Sequence, residues 1–227
     1  MMKRSKSLEA RQLKAAAERE SLLKDVESAE ALKLSPLAYR SETLARFKDV
    51  AALYAGRPSG RAVSFELHRG GRVALCGGNG SGKSSLLKLL TGINTEHMGL
   101  LEVGSGLIVS YVPQDTSHLS GTPEQFAAER GIERSLFMTI LRKLDFARSL
   151  LTRDMSGFSA GQKKKVLLAG SLCESAHLYV WDEPLNYIDI YSRMQLERLI
   201  TEFEPTMLFV EHDTAFRENV ATECVEL

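Results

Sequence analysis

Eight residues, Gly77-Gly78-Asn79-Gly80-Ser81-Gly82-Lys83-Ser84, spell G-x-x-x-x-G-K-S, a spacing suited to holding a chain of phosphates. Glycines let the backbone curl so that successive N–H groups point at anionic oxygens. Lys83 brings a positive charge to the outer phosphates, and the Ser84 hydroxyl can bind Mg²⁺. About a hundred residues on, the apolar run Leu178-Tyr179-Val180-Trp181 ends in two carboxylates. Asp182, at a strand tip, can hold Mg²⁺ through its water shell, and Glu183 can direct the water that attacks a γ-phosphate. Between these lies Phe158-Ser159-Ala160-Gly161-Gln162, directly before Lys163-Lys164-Lys165. A serine and small residues opening a basic helix make a second anion site. Together these residues permit capture of a nucleoside triphosphate and attack on it by water.

Such residues need elements to hold them. Arg72–Cys76 reads as a short buried strand feeding the phosphate loop, and Ser85-Leu86-Leu87-Lys88-Leu89-Leu90 opens the helix that follows it. Upstream, Leu44–Tyr54 and Val63–Leu67 alternate as strands around the turn Arg57-Pro58-Ser59-Gly60. Downstream, Leu100–Val103 and Ile108–Val112 are strands, the second closed by Pro113 and Gln114. Residues 120–152 read as mostly helical, Gly161–Leu172 as a helix, Leu178–Trp181 as a buried strand, Ser192–Phe203 as a helix and Met207–Val210 as a core strand. Alternating strands and helices imply a parallel sheet with helices on its faces, with an antiparallel piece at the start.

The 227 residues suit one α/β domain plus an appendage, and their net charge is zero, so no global field draws the chain to nucleic acid or membrane. Charge is uneven locally. Residues 1–25 hold seven Lys/Arg against four Asp/Glu, and residues 3–32, without Gly or Pro, read as one charged helix. Its stripe of Leu13, Ala16, Leu23 and Val26, broken by Glu20, is too thin for a globular core but suits one antiparallel helix. That helix comes from another molecule, or the chain is a piece of something longer. Leu34-Ser35-Pro36 ends the charged helix, giving a division into a linker helix over 1–35 and a nucleotide-binding domain over 36–227. Cys76, Cys173 and Cys224 form no framework and no metal spacing, and read as reduced thiols of a cytosolic protein. No run of about 18 apolar residues exists to span a bilayer, and no apolar stretch follows the basic N-terminus as a signal peptide would require.

With three landmarks in this order, residues 43–227 resemble the ATP-binding cassette superfamily, whose signature reads Leu-Ser-Gly-Gly-Gln. The resemblance implies a P-loop NTPase fold of ABC type: a mixed sheet core, an antiparallel β subdomain and a helical signature subdomain. It implies ATP and Mg²⁺, with Gly77, Asn79, Gly80, Ser81, Gly82, Lys83, Ser84 and Ser85 on the nucleotide, and Ser84, Gln114 and Asp182 at the metal. Glu183, Gln114 and His212 would be catalytic; Gln114 matches the glutamine that senses Mg²⁺ and the attacking water, and His212 the switch histidine. Tyr54 matches the aromatic that stacks on adenine. Ser159, Gly161 and Gln162, with Asp189 at the dimer seam, would complete the site of an opposed cassette in a head-to-tail pair. Two positions depart from the pattern. Ala160 replaces a glycine and Phe158 a leucine, and no catalytic position is lost.

The stretch Glu183-Pro184-Leu185-Asn186-Tyr187-Ile188-Asp189 is similar to the ABC-F group of twin-cassette ATPases, and most to those that protect ribosomes from antibiotics. In that group a charged helical hairpin joins two cassettes. Residues 3–32 resemble its second helix, which implies a second cassette as partner, the chain's own missing half or another copy, and the ribosome or its RNA as target. The location implied is cytoplasmic, without membrane insertion. A transporter's nucleotide-binding subunit is the alternative; the helical N-terminal tail and the short helical region between Gln114 and Phe158 speak against it. A cassette that binds without turnover would commonly lose Glu183 or His212, and both are here.

Overall fold

The structure, a computed structural model, describes residues 34–94 and 96–227. The charged helix read over residues 3–32 lies outside the described residues; Leu34, Ser35 and Pro36, where it was expected to end, have no regular secondary structure.

Strands from both ends of the chain build two sheets. β1 (Thr43–Tyr54) pairs antiparallel with β2 (Arg57–Pro58), β3 (Val63–His68) and β5 (His97–Val103). Alternation along β3 turns Val63, Phe65 and Leu67 inward. The Phe65 ring stacks on Phe47 of β1 at 4.3 Å. β5 starts three residues before the predicted Leu100, because His97 and Met98 still pair with Ala52 and Ala51.

The second sheet runs β6-β7-β8-β4-β9, with every ladder parallel: β4 (Arg72–Cys76), β6 (Val109–Val112), β7 (Leu178–Asp182), β8 (Met207–Val210) and β9 (Glu223–Glu226). Parallel and antiparallel pairings are thus divided between two sheets. β7 and β8 are buried at every position, as their unbroken apolar runs require of strands covered on both faces. Strand order carries the functional consequence. β8 separates β4 from β7, so the loops leaving the C-terminal ends of all three emerge side by side, where open α/β sheets bind ligands.

α1 (Lys83–Leu90) buries Leu86, Leu87, Leu89 and Leu90 in a core shared by the two sheets, with Leu44, Phe47 and Leu67 from one and Val73, Val180 and Leu208 from the other. Fully burying each such side chain contributes about 1.5–3 kcal/mol. Between β6 and β7 lies the helical part: α2 (Pro123–Glu129), α3 (Arg134–Lys143), 3₁₀ turns at Arg148–Leu150 and Met155–Gly157, and α4 (Ala160–Cys173). Phe158 is buried against Phe146 at 5.8 Å between ring centres, which accounts for an aromatic where the resembling family has leucine. Across the sheet, the Trp181 indole N–H donates to the Ser171 hydroxyl at 2.9 Å, fastening α4 to β7.

α5 (Ile190–Phe203) matches the predicted helix and begins two residues earlier, with Asp189 as its N-cap. Three elements were absent from the sequence reading: β2, whose Arg57 and Pro58 were read as turn but pair with Tyr54 and Leu53, α6 (Thr214–Val220) and β9. α6 is capped by Asp213, whose carboxylate accepts from Phe216 N at 2.8 Å. Among the described residues no helix is long and apolar enough to cross a membrane.

Candidate functional site: a phosphate loop facing two carboxylate-bearing strand ends

The phosphate loop joins β4 to α1, and its curl rests on positive φ at Gly77, Gly80 and Gly82 (136°, 79° and 98°), which side chains rarely tolerate. Gly82 occupies the N-cap of α1 and no side chain caps that helix, so its first-turn amides are left for a ligand. Lys83 is 7% exposed, and its ammonium donates back to Gly77 O (2.8 Å) and Gly78 O (2.7 Å). Inside the curl the Ser81 hydroxyl is buried without a hydrogen-bond partner. A loop with open amides, a cation and an orphan hydroxyl suits an anionic guest.

The turn between β2 and β3 presses on this loop from behind. A Cβ built on Gly60 would sit 1.9 Å from Ser81 O, so only glycine fits there. Ser59 beside it lines the cavity.

That cavity, about 480 Å³, is lined by Ser59, Asn79, Gly80, Gly82, Lys83, Ser84, Ser85, Gln114, Glu183 and His212. Gln114 comes from the end of β6, Glu183 from β7 and His212 from β8. Asp182, one residue inside, is reached through Ser84, whose hydroxyl donates to Asp182 Oδ1 at 3.0 Å. Burial pushes the Asp182 acid up, opposed by that hydrogen bond and by the Lys164 ammonium. Glu183 has φ +48°, a left-handed conformation unusual for a carboxylate residue, which marks strain stored at the cavity wall. Its Oε2 accepts from Asn186 Nδ2, and its Oε1 lies 3.5 Å from His212 Nε2.

Glu211 anchors the loops behind these side chains. It is buried; Oε1 accepts from His212 N (2.7 Å) and Asp213 N (3.2 Å), while Oε2 accepts from Leu185 N (3.0 Å). One carboxylate thereby ties the loop after β8 to the loop after β7.

The signature segment sits apart from the cavity. Ser159 caps α4 in a reciprocal box: its hydroxyl accepts from Gln162 N at 3.3 Å, and Gln162 Oε1 accepts from Ser159 N at 2.9 Å. A Cβ on Gly161 would lie 2.5 Å from Tyr187 O, so this glycine permits close approach of the helix to the loop after β7. Ala160 is exposed, and its extra methyl costs nothing within the chain. The lysines that follow do not form a solvated basic face. Lys163 and Lys164 are buried, and Lys165 pairs with Asp189 at 2.6 Å. Burial favours the neutral form of Asp189, but Lys165 and two Ser192 hydrogen bonds outweigh it and hold the carboxyl at about 2. Lys164 is 1% exposed and donates to Pro113 O (2.9 Å) and Asp182 O (3.1 Å). Burial lowers its ammonium to about 8, with Asp182, Glu183 and Glu211 acting the other way.

Six sequence-predicted residues from four segments, Lys83, Ser84, Ser85, Gln114, Glu183 and His212, therefore share one wall with the glycine loop. Tyr54, 69% exposed at the end of β1, is outside the lining, as are Ser159, Gly161, Gln162 and Asp189. Among the described residues no group of three or more His, Cys, Asp or Glu could hold a metal by itself. Sequence reasoning passed over Ser59, Gly60, Lys164, Asn186 and Glu211. Of these only Glu211, directly before His212, carried a positional hint.

A phosphate loop at the end of β4, opposed by carboxylates at the end of the next strand but one, defines a P-loop NTPase domain. The family profile described as ABC transporter matches residues 61–186, more than half of the chain. Among curated proteins, the chain is 28% identical over 225 residues to ATP-binding protein Uup-like of Haemophilus influenzae, covering 94% of this chain and 48% of the relative. It is 30% identical over 174 residues to ribosome protection protein VmlR of Bacillus subtilis (75% of this chain, 32% of VmlR). It is 29% identical over 171 residues to ABC transporter F family member 2 of Arabidopsis thaliana (73% of this chain, 25% of that protein). The chain thus spans between a quarter and about half of the length of these relatives. Among solved structures, an ATP-binding subunit of an ABC transporter superposes with TM-score 0.68 at 26% identity, over 82% of this chain and 86% of that one. The chain belongs to the ABC transporter family, and its curated relatives mark it as of the F type.

Proposed function

We propose that this cassette binds ATP with Mg²⁺ in the cavity and hydrolyses it in a head-to-tail pair with a second cassette, and that closure of the pair controls binding to the ribosome. The observation that carries the reading is the convergence of Lys83, Ser84, Gln114, Glu183 and His212 on one cavity. Amides of the glycine loop and Lys83 bind and orient the phosphates, with the exposed Tyr54 available to stack on adenine. Ser84 and Asp182, already bonded to each other, would hold Mg²⁺ beside Gln114; when bound, the ion neutralises charge developing on phosphate oxygens. Glu183 takes the proton of the attacking water. Asn186 fixes its orientation, and His212 stands close enough to follow the γ-phosphate.

The pairing is supported by the signature segment. Its capped serine and the Asp189 loop lie outside the cavity of their own chain, free to face a partner's. Turnover per molecule is expected to rise with protein concentration in a steady-state ATPase assay. A specific activity that stays flat over wide dilution would remove the trans site.

For the ribosome, support comes from the likeness to VmlR and from the composition of the first fourteen residues, where Lys3, Arg4, Lys6, Arg11 and Lys14 stand with Glu9 as the one acid. Contacts to RNA phosphates release counterions, so binding should weaken with salt. The chain carrying Glu183→Gln, held in ATP, is expected to co-sediment with ribosomes, less so at higher salt or after charge reversal at Arg4, Arg11 and Lys14. Likeness to a transporter's ATP-binding subunit over 86% of its length supports the second reading, a transporter motor. Association with membranes instead of ribosomes would select it.

A further inference from the structure

We infer that Lys164 is a positioning residue for hydrolysis: from α4, its ammonium holds the backbone beside Gln114 and the backbone beside Glu183 together across two neighbouring strand ends. The inference rests on the proposed function, in which those two side chains act on water and phosphate.

The need for such a group follows from the sheet. β6 and β7 pair in parallel up to Val112 opposite Trp181, and there the ladder stops. The next residue on β6 is Pro113, which has no N–H and cannot extend the pairing. The carbonyls of Pro113 and Asp182 thus come to the end of the ladder where both strands turn off toward the cavity, one residue before Gln114 and Glu183 respectively. Lys164 donates to both carbonyls, at 2.9 and 3.1 Å. It does so from the second turn of α4, whose N-cap is Ser159. The far end of α4 is pinned by the Ser171–Trp181 hydrogen bond, so the reach of Lys164 is fixed at both ends of the helix.

An ammonium that is 1% exposed is expensive to bury, and a merely structural filler at this position would be apolar. What Lys164 supplies that an apolar side chain does not is donors to two carbonyls on different strands. The phosphate loop, on β4 and α1, makes no hydrogen bond to it, so its loss should leave nucleotide capture in place.

Lys164→Met keeps length and removes the donors. In the whole chain, ATP affinity measured with a fluorescent ATP analogue is expected to stay within about threefold of the parent. kcat per folded molecule should fall by about 10²-fold, the scale of a 1 Å misplacement of catalytic groups. Amide hydrogen exchange should quicken at residues 114–115 and at Glu183 whether or not nucleotide is present. Lys164→Arg, which keeps donors, should recover part of both signals, and it serves as the second variant if the methionine form folds poorly. The inference is overturned if exchange at those residues and kcat match the parent. It is equally overturned if binding and turnover fall together in proportion to the unfolded fraction, which would mean a role in folding alone. A parent chain that captures no ATP would instead overturn the proposed function, and this inference with it.

Discussion

The chain carrying Glu183→Gln is expected to capture ATP as the parent does and to hydrolyse it about 10²–10⁴-fold more slowly. The amide keeps the shape of the carboxylate and can still hydrogen-bond water, but it cannot accept a proton. Nothing else in the cavity wall is placed to replace it. Asp182 is engaged by the Ser84 hydroxyl, and His212, from the end of the neighbouring strand β8, is assigned to the γ-phosphate. Asn186, which donates to Glu183 in the parent, keeps an oxygen acceptor in the variant. Single-turnover measurements at saturating ATP would separate the step, because binding is set by Lys83 and the glycine loop. Parental turnover in this variant would mean that another group takes the proton.

Glu211→Ala should produce the largest loss of stability among single changes near the cavity. It strips the acceptor from three backbone N–H groups on two loops, those of Leu185, His212 and Asp213. Each buried donor left unpaired costs about 1–3 kcal/mol, against a total stability of about 5–15 kcal/mol for a domain. A urea midpoint well below the parent's is expected, with turnover falling as well, since the residues released neighbour both Glu183 and His212. Glu211→Gln, which retains one acceptor oxygen, should lie between. A Glu211→Ala chain melting at the parental midpoint would show that water satisfies these groups and that the clamp contributes little.

How much of this was legible in the sequence depended on where each partner lay. The glycine loop encodes its own conformation, so its function could be read from eight consecutive residues. β7 and β8 declared themselves as unbroken apolar runs. β9 did not, because as an edge strand with mostly exposed residues it lacks any such run. α6 is only seven residues long, and its start signal, the N-cap Asp213, directly follows the switch histidine His212. Lys164 stood between two other lysines and read as part of a basic helix beside an anion site; its acceptors are carbonyls, which no sequence displays. Gly60 was read as a turn residue, yet its constraint comes from Ser81, 21 positions on. The general rule is physical. Local backbone chemistry and long apolar runs are written in order along the chain, whereas a backbone acceptor or a close approach is a property of the fold.

The approach of Gly161 to Tyr187 O, together with the Lys165–Asp189 ion pair, binds the N-terminus of α4 to the loop that begins at Glu183. A ligand that grips the helix end and one that fills the cavity therefore push on the same piece of chain. Linkage then imposes reciprocity on them. By whatever factor ATP in the cavity tightens the hold of α4 on an opposing surface, that surface must tighten the hold of the cavity on ATP. Affinity for a partner measured with and without nucleotide gives the nucleotide's own coupling free energy, with no second experiment needed.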